Sequence, residues 1–266
     1  MSASAWPLRV FVLACPFLFT LGSVRAQGVD RKEIIRQARQ SYYSLKDSGM
    51  QEFRCAVKPD WDAMSRTNKA DAVAGDEAMS IMRQVRFQIV VGPSGSSTVS
   101  HQSDQAPPNE PVAERVRKKI ASIELLLTSF FQVWSGFAIT PPFPVVDSEY
   151  QLDDLGEKFR LSYHQDHSNI EVSMMHDFAI DEVNITGPGV DVTIRPHLSR
   201  SKPRFVFAGY DGIYKSGSSI GQYTVEVENQ SVDGLDLPAT MVTSTSLPNS
   251  PGKIVLTFTD CRVVKR

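Results

Sequence analysis

Between residues 112 and 139 the apolar positions recur in steps of four and three: Val116, Ile120, Ile123, Leu127, Phe130, Trp134 and Phe137. That spacing is one stripe of an α-helix. Leu125, Leu126, Phe131 and Val133 widen the stripe into a broad apolar face in the second half. Asn109 is placed to cap this helix and Pro111 to occupy its first turn. Pro141, Pro142 and Pro144 end it, because proline cannot continue the backbone ladder.

Elsewhere the period changes to two. Alternating segments at 51–58, 85–91 and 97–101 precede the helix, and others follow at 159–163, 170–174, 190–194, 205–207, 223–227 and 254–258. Turn residues separate them at 167–169, 187–189, 211–212, 233–234 and 251–252. This is the order of antiparallel hairpins, not the strand-helix alternation of a parallel sheet. A helix opens over 28–40, with Asp30 as N-cap, Glu33 as the acidic half of a capping box and Gly49 marking its end. Its apolar side is Ile34, Ile35, Ala38, Tyr42 and Leu45. Residues 60–76 read as a short helix or an excursion. The predicted fold is α+β: a curved antiparallel sheet, an incomplete β-barrel, wrapped around a long apolar helix, with an N-terminal helix added.

The first residues stand apart from this pattern. Arg9, an apolar run over 10–21 and the small-residue end Val24-Arg25-Ala26 describe a secretory signal peptide cleaved after Ala26. The run contains Pro16 and is short for a membrane span; an uncleaved anchor is the alternative. A lipid anchor at Cys15 is disfavoured because the apolar run continues past it. Residues 27–266 then form one domain, with no repeat or linker. Removing residues 1–26 takes away Arg9 and Arg25 and no acid, leaving 28 − 2 = 26 basic against 30 acidic residues. A net charge of −4 argues against a general nucleic-acid surface.

Two cysteines stay in the mature chain, Cys55 and Cys261. In an exported protein such a pair points to a disulfide between the first strand and the last. On the chain-entropy model it would stabilise by roughly 3–5 kcal/mol. Two buried thiols are the other reading. One tension is visible: Cys55 shares a face with Phe53 and Val57, whereas Cys261 shares one with Thr257, Thr259 and Val263.

Polar chemistry is sparse. His164, Asp166 and His167, with His176 beyond, are the residues a metal would use, although they lie where one strand turns into the next. Ser199 and Lys202 have the serine-x-x-lysine spacing of some acyl-transfer enzymes, but Pro196 and Pro203 deny them the helix that chemistry needs. The glycines at 92–95 and 217–221 lack a phosphate-loop lysine. Asn184 and Asn229 head glycosylation acceptor triplets. Arg115, Arg117, Lys118 and Lys119 gather near the start of the central helix, where cations are unfavourable; anionic lipid headgroups are one partner for them, solvent the other. No catalytic constellation or cofactor motif emerges, which argues against an enzyme.

Taken in order, an export signal, a helix of the type Glu33-Ile-Ile-Arg-Gln-Ala38, a strand from Phe53, one long helix and a train of hairpins follow one another. The chain then closes with Gly234-Leu-Asp-Leu237-Pro238 and Ile254-Val-Leu256-Thr-Phe258-Thr-Asp260. This order resembles the LolA/LppX-like periplasmic lipoprotein-carrier superfamily. The resemblance implies an incomplete β-barrel, lidded by helices, around an apolar cavity that accepts acyl chains. The expected function is non-catalytic binding of a lipid or lipid-modified protein, in the periplasm of a Gram-negative bacterium or otherwise in a secreted setting. Phe87, Ile89, Leu126, Leu127, Phe130, Phe131 and Trp134 are the expected lining. An envelope interaction or structural protein with a filled core is the alternative, and a metal-dependent hydrolase a further one. The sequence leaves the oligomeric state open.

Overall fold

Among the described residues the chain lays down three strands, crosses on one long helix and returns through nine more strands. The computed structural model describes residues 30–67, 76–104, 109–165, 167–201, 203–217, 219–245 and 253–266, so the signal-peptide reading of residues 1–26 lies outside the described residues. Helix α1 (Arg31–Gln40) leads into β1 (Met50–Pro59); α2 (Trp61–Thr67) and α3 (Asp76–Met82) lead into β2 (Arg86–Val91) and β3 (Ser97–Gln102). The long helix α4 (Glu110–Ala138) follows. The return run is β4 (Gln151–Asp154), β5 (Lys158–Gln165), β6 (Ser168–Met175), β7 (Ile180–Gly187), β8 (Val190–Ser201), β9 (Arg204–Ser216), β10 (Ser219–Val232), β11 (Leu235–Thr245) and β12 (Lys253–Lys265).

All twelve strands form one sheet in the order β3-β2-β1-β12-β11-β10-β9-β8-β7-β6-β5-β4. Every neighbouring pair is antiparallel. The sheet is unclosed: β3 and β4 are its edges, and α4 joins them. A helix of 29 residues is about 43 Å long. Asn109 caps it, its side chain accepting the Val112 N–H at 3.1 Å. At the other end Leu45 N–H donates to Ala138 O (2.9 Å), Lys46 N–H to Ile139 O (3.1 Å) and the buried Ser44 hydroxyl to Ile139 O (2.9 Å). Carbonyls that the helix leaves unpaired are thus taken up by the segment before β1.

Helix α1 is shorter than its apolar pattern predicts. It ends at Gln40, and Tyr42 and Leu45, though buried, lie beyond it; Gly49, at φ +89°, turns the chain into β1. Strands β4, β7 and β11 went unpredicted. In β4 only Leu152 is buried, so there is no alternation to see. β11 carries Pro238 beside a bulge, a position where a strand tolerates proline.

β7 belongs to a wider pattern. Its inward side chains step from Ile180 to Val183, three residues instead of two, around a bulge. Similar three-residue steps occur from Met50 to Phe53 in β1, Phe207 to Tyr210 in β9, Val227 to Gln230 in β10 and Phe258 to Cys261 in β12. Each coincides with a register shift. Traced through the pairs His197–Gly209, Gly209–Glu226, Glu228–Thr240 and Thr240–Thr257, the shifts from β8 to β12 form a band across the sheet. Bulges bend and twist the strands that carry them, which gives the sheet its curvature. At Gly209 (φ +140°) a Cβ would lie 2.1 Å from Val225 O, so only glycine allows this close approach.

The bulge in β12 also resolves the cysteine tension. Asp260, at φ +51°, is the extra residue; after it the inward positions shift from Leu256 and Phe258 to Cys261 and Val263. Cys261 then faces Cys55, and the two are disulfide-bonded between neighbouring strands, 206 residues apart in sequence. A disulfide indicates an oxidising, exported environment.

Candidate apolar site

The inner face of the sheet, the one against α4, is built in layers. Near the helix, Phe131 packs among Phe53, Phe130, Trp134 and Phe258, with ring centroids 4.9–6.1 Å apart. Phe87 and Ile89 on β2 lie across from Val57 and Cys55 of β1 in the same core. Of the seven residues the sequence points to as a lining, Phe87, Ile89, Leu127, Phe130, Phe131 and Trp134 are all buried, and Leu126 is partly buried against them. The structure brings them together as packed core, with helix side chains filling the space beside β1 and β12.

Farther along the strands the inner face carries two successive cross-strand rows. The first runs Leu161, Val172, Val183, Ile194, Gly212, Tyr223 from β5 to β10, each directly opposite the next. The second runs Tyr163, Ile170, Ile185, Val192, Tyr214, Gly221. The first row is mostly buried, whereas Tyr163, Ile170, Ile185 and Val192 are only partly covered and Tyr214 is 43% exposed. Six strands at about 4.8 Å spacing make the second row about 24 Å long. It is an apolar strip, open on one side and continuous with the core on the other.

An aromatic path joins this strip to the helix. Phe137 of α4 stacks on Phe207 at 4.9 Å, Phe207 meets Tyr210 at 6.0 Å, and Tyr210 meets Tyr223 edge-on at 5.6 Å. Tyr223 lies over Gly212, where a Cβ would come within 2.3 Å of the ring, so that glycine makes the place for the ring. Burial pushes the Tyr163 phenol up to about 12, and it raises Tyr210 and Tyr223 above the ordinary tyrosine value as well. These tyrosines stay neutral at physiological pH and combine apolar bodies with polar tips. Sequence reading missed this strip because its members sit at strand ends; only the register places them side by side.

The polar candidates do not assemble. His164 bonds Asn169 through its ring nitrogen at 2.9 Å, and His176 pairs with Asp154 at 3.4 Å. His167 occupies a tight turn at φ +67°, and Asp166 lies outside the described residues. Among the described residues no three histidine, cysteine or carboxylate side chains group as metal ligands. Ser199 donates to Val206 O at 3.4 Å, and Lys202 lies outside the described residues. The glycines at 92–95 form the β2–β3 turn, where Ser135 of α4 donates to Gly95 O at 3.1 Å; Gly217 follows β9 and Gly221 lies within β10. Asn184 and Asn229 lie within strands with their amides hydrogen-bonded. On the opposite face Arg195, Asp211, Gln222, Thr224 and Ser244 border a polar trough of about 460 Å³. There the Thr224 hydroxyl and His197 hold the Asp211 carboxyl below its usual range.

Comparison with known proteins returns no match: no family model, no curated protein and no solved structure is significantly similar to this chain.

Proposed function

We propose that the protein is an exported, non-catalytic carrier or chaperone that binds a lipid or the acyl chain of a lipid-modified protein on the inner face of its open sheet. In this reading the scaffold is an incomplete β-barrel wrapped around α4, of the LolA/LppX-like kind, acting in the periplasm where the source is Gram-negative. The observation that carries it is the half-open apolar row from Tyr163 to Tyr214, which leads inward to Tyr210 and Phe207. A chain laid along the row would leave water at about 0.8 kcal/mol per methylene, so about ten buried methylenes correspond to the roughly 8 kcal/mol of micromolar affinity.

The test is a fluorescence titration of the mature, oxidised protein with cis-parinaric acid. Saturable binding is expected, abolished by Val192→Lys in the row and kept by Glu171→Lys on the opposite face. Mass spectrometry of natively purified protein is expected to detect a co-purifying lipid. The absence of saturable binding, or equal loss in both variants, would refute the carrier reading. It would favour an envelope interaction or structural protein, whose own support is the filled packing around Phe131.

A further inference from the structure

A second surface has a different chemistry. Helices α3 and α4 enclose a cleft of about 260 Å³ whose apolar floor is Ala78, Met79, Met82 and Val116. Arg115, Lys118, Lys119 and Ser122 rim it from α4. Residues 115, 118, 119 and 122 share one side of a helix, and the same side continues to Leu125. Leu125 is 68% exposed, the most exposed large apolar side chain among the described residues. One stripe of α4 therefore runs from basic residues to a single exposed leucine, with a shallow apolar cleft beside the basic part.

Local helix energetics does not account for the cations. They stand in the second and third turns of α4, beyond the first turn in which the helix dipole acts. Lys118 lies 3.3 Å from Glu114, and Arg117 pairs with both Glu110 and Glu114. Glu124 turns instead to His101 at 2.7 Å, and Arg115 has no ion partner among the described residues. The whole chain is acidic, so this is a local departure from its overall charge.

We propose that this α3–α4 surface docks the protein on an anionic bilayer, with Arg115, Lys118 and Lys119 at the headgroups and Leu125 inserted among the acyl chains. Charge complementarity selects the occupant: a surface combining cations with an exposed leucine matches the boundary between anionic headgroups and hydrocarbon. The inference stands apart from acyl binding on the sheet, because a protein that never loads a chain can still dock, and the soluble parinaric acid assay does not depend on docking.

Vesicle co-sedimentation of the mature, oxidised protein tests it. The protein is expected to partition onto vesicles of phosphatidylglycerol mixed with phosphatidylcholine, not onto phosphatidylcholine alone, and to detach at high salt. Arg115→Glu with Lys119→Glu is expected to lower partitioning by roughly tenfold or more. Leu125→Gln is expected to lower it by roughly tenfold. Lys215→Glu with Lys253→Glu changes the net charge equally but lies elsewhere, and is expected to leave partitioning near wild type; circular dichroism confirms that each variant is folded. No preference for anionic vesicles, equal loss in the two double variants, or wild-type partitioning of Leu125→Gln would each overturn the proposal.

Discussion

The link between Cys55 and Cys261 joins residues 206 apart in sequence, and removing it is expected to be among the most costly small changes to this chain. On the chain-entropy model, freeing a loop of that length returns about 18 cal/mol/K to the denatured state, or about 5 kcal/mol at 25 °C. The native side adds to this. Cys55 is buried, and the Gln230 amide, which also bonds Pro238 O and Phe258 O, donates to Cys261 Sγ at 3.5 Å. Losing those contacts in Cys55→Ala/Cys261→Ala adds roughly 1 kcal/mol. Guanidinium unfolding of the oxidised protein, the double variant and the wild type in reductant separates the two contributions. The denatured-state account predicts a steeper denaturant dependence once the link is gone, because an uncrosslinked chain exposes more surface. It also predicts that the reduced protein lies above the variant by only about 1 kcal/mol, the native contacts that alanine removes. A loss below about 1 kcal/mol with an unchanged slope would refute the reasoning and assign the β1–β12 seam to packing and hydrogen bonds alone.

Phe131→Ala, which empties the centre of the ring cluster, is expected to cost about 3–5 kcal/mol in chemical denaturation. Gly209→Val places a β-branched side chain at φ +140° against the Val225 carbonyl; loss of native near-ultraviolet dichroism, or a drop of more than about 2 kcal/mol, is expected. Asn109→Ala removes the cap on the Val112 N–H and is expected to cost about 1 kcal/mol in thermal unfolding. Burial raises the phenol of Tyr163 to about 12, and those of Tyr42 and Tyr210 also rise. Because the folded values lie above the unfolded ones, this stability is fully present below about pH 10 and is lost as pH rises through the folded values. Denaturation midpoints measured from pH 9 upward are expected to fall steeply in that window, and a flat profile would contradict the burial of these phenols.

The long helix was legible because its periodicity is local: Val116 to Phe137 declare a face within one segment, and Asn109 and Pro111 mark its start. The hairpin train was legible for the same reason where alternation is unbroken, as in β2 and β5. β7, and the face of Cys261, were misread or unreadable because a bulge inserts a three-residue step that period-two reading cannot anticipate. The apolar strip was invisible for another reason. Tyr163, Ile170, Ile185, Val192 and Tyr214 come from five strands, and nothing in any one strand says which neighbour each will meet.

By itself, then, the sequence determined a helix-plus-hairpin α+β chain, the apolar face of α4 and the pair of cysteines available for bonding, since each depends on short-range pattern or composition. Only the tertiary structure decided that β12 returns to β1, that the bulge at Asp260 turns Cys261 toward Cys55, and that the rings of α4 fill their end of the sheet while the row ending at Tyr214 stays half open. Those outcomes depend on register and curvature, which are set by contacts between residues far apart in the chain.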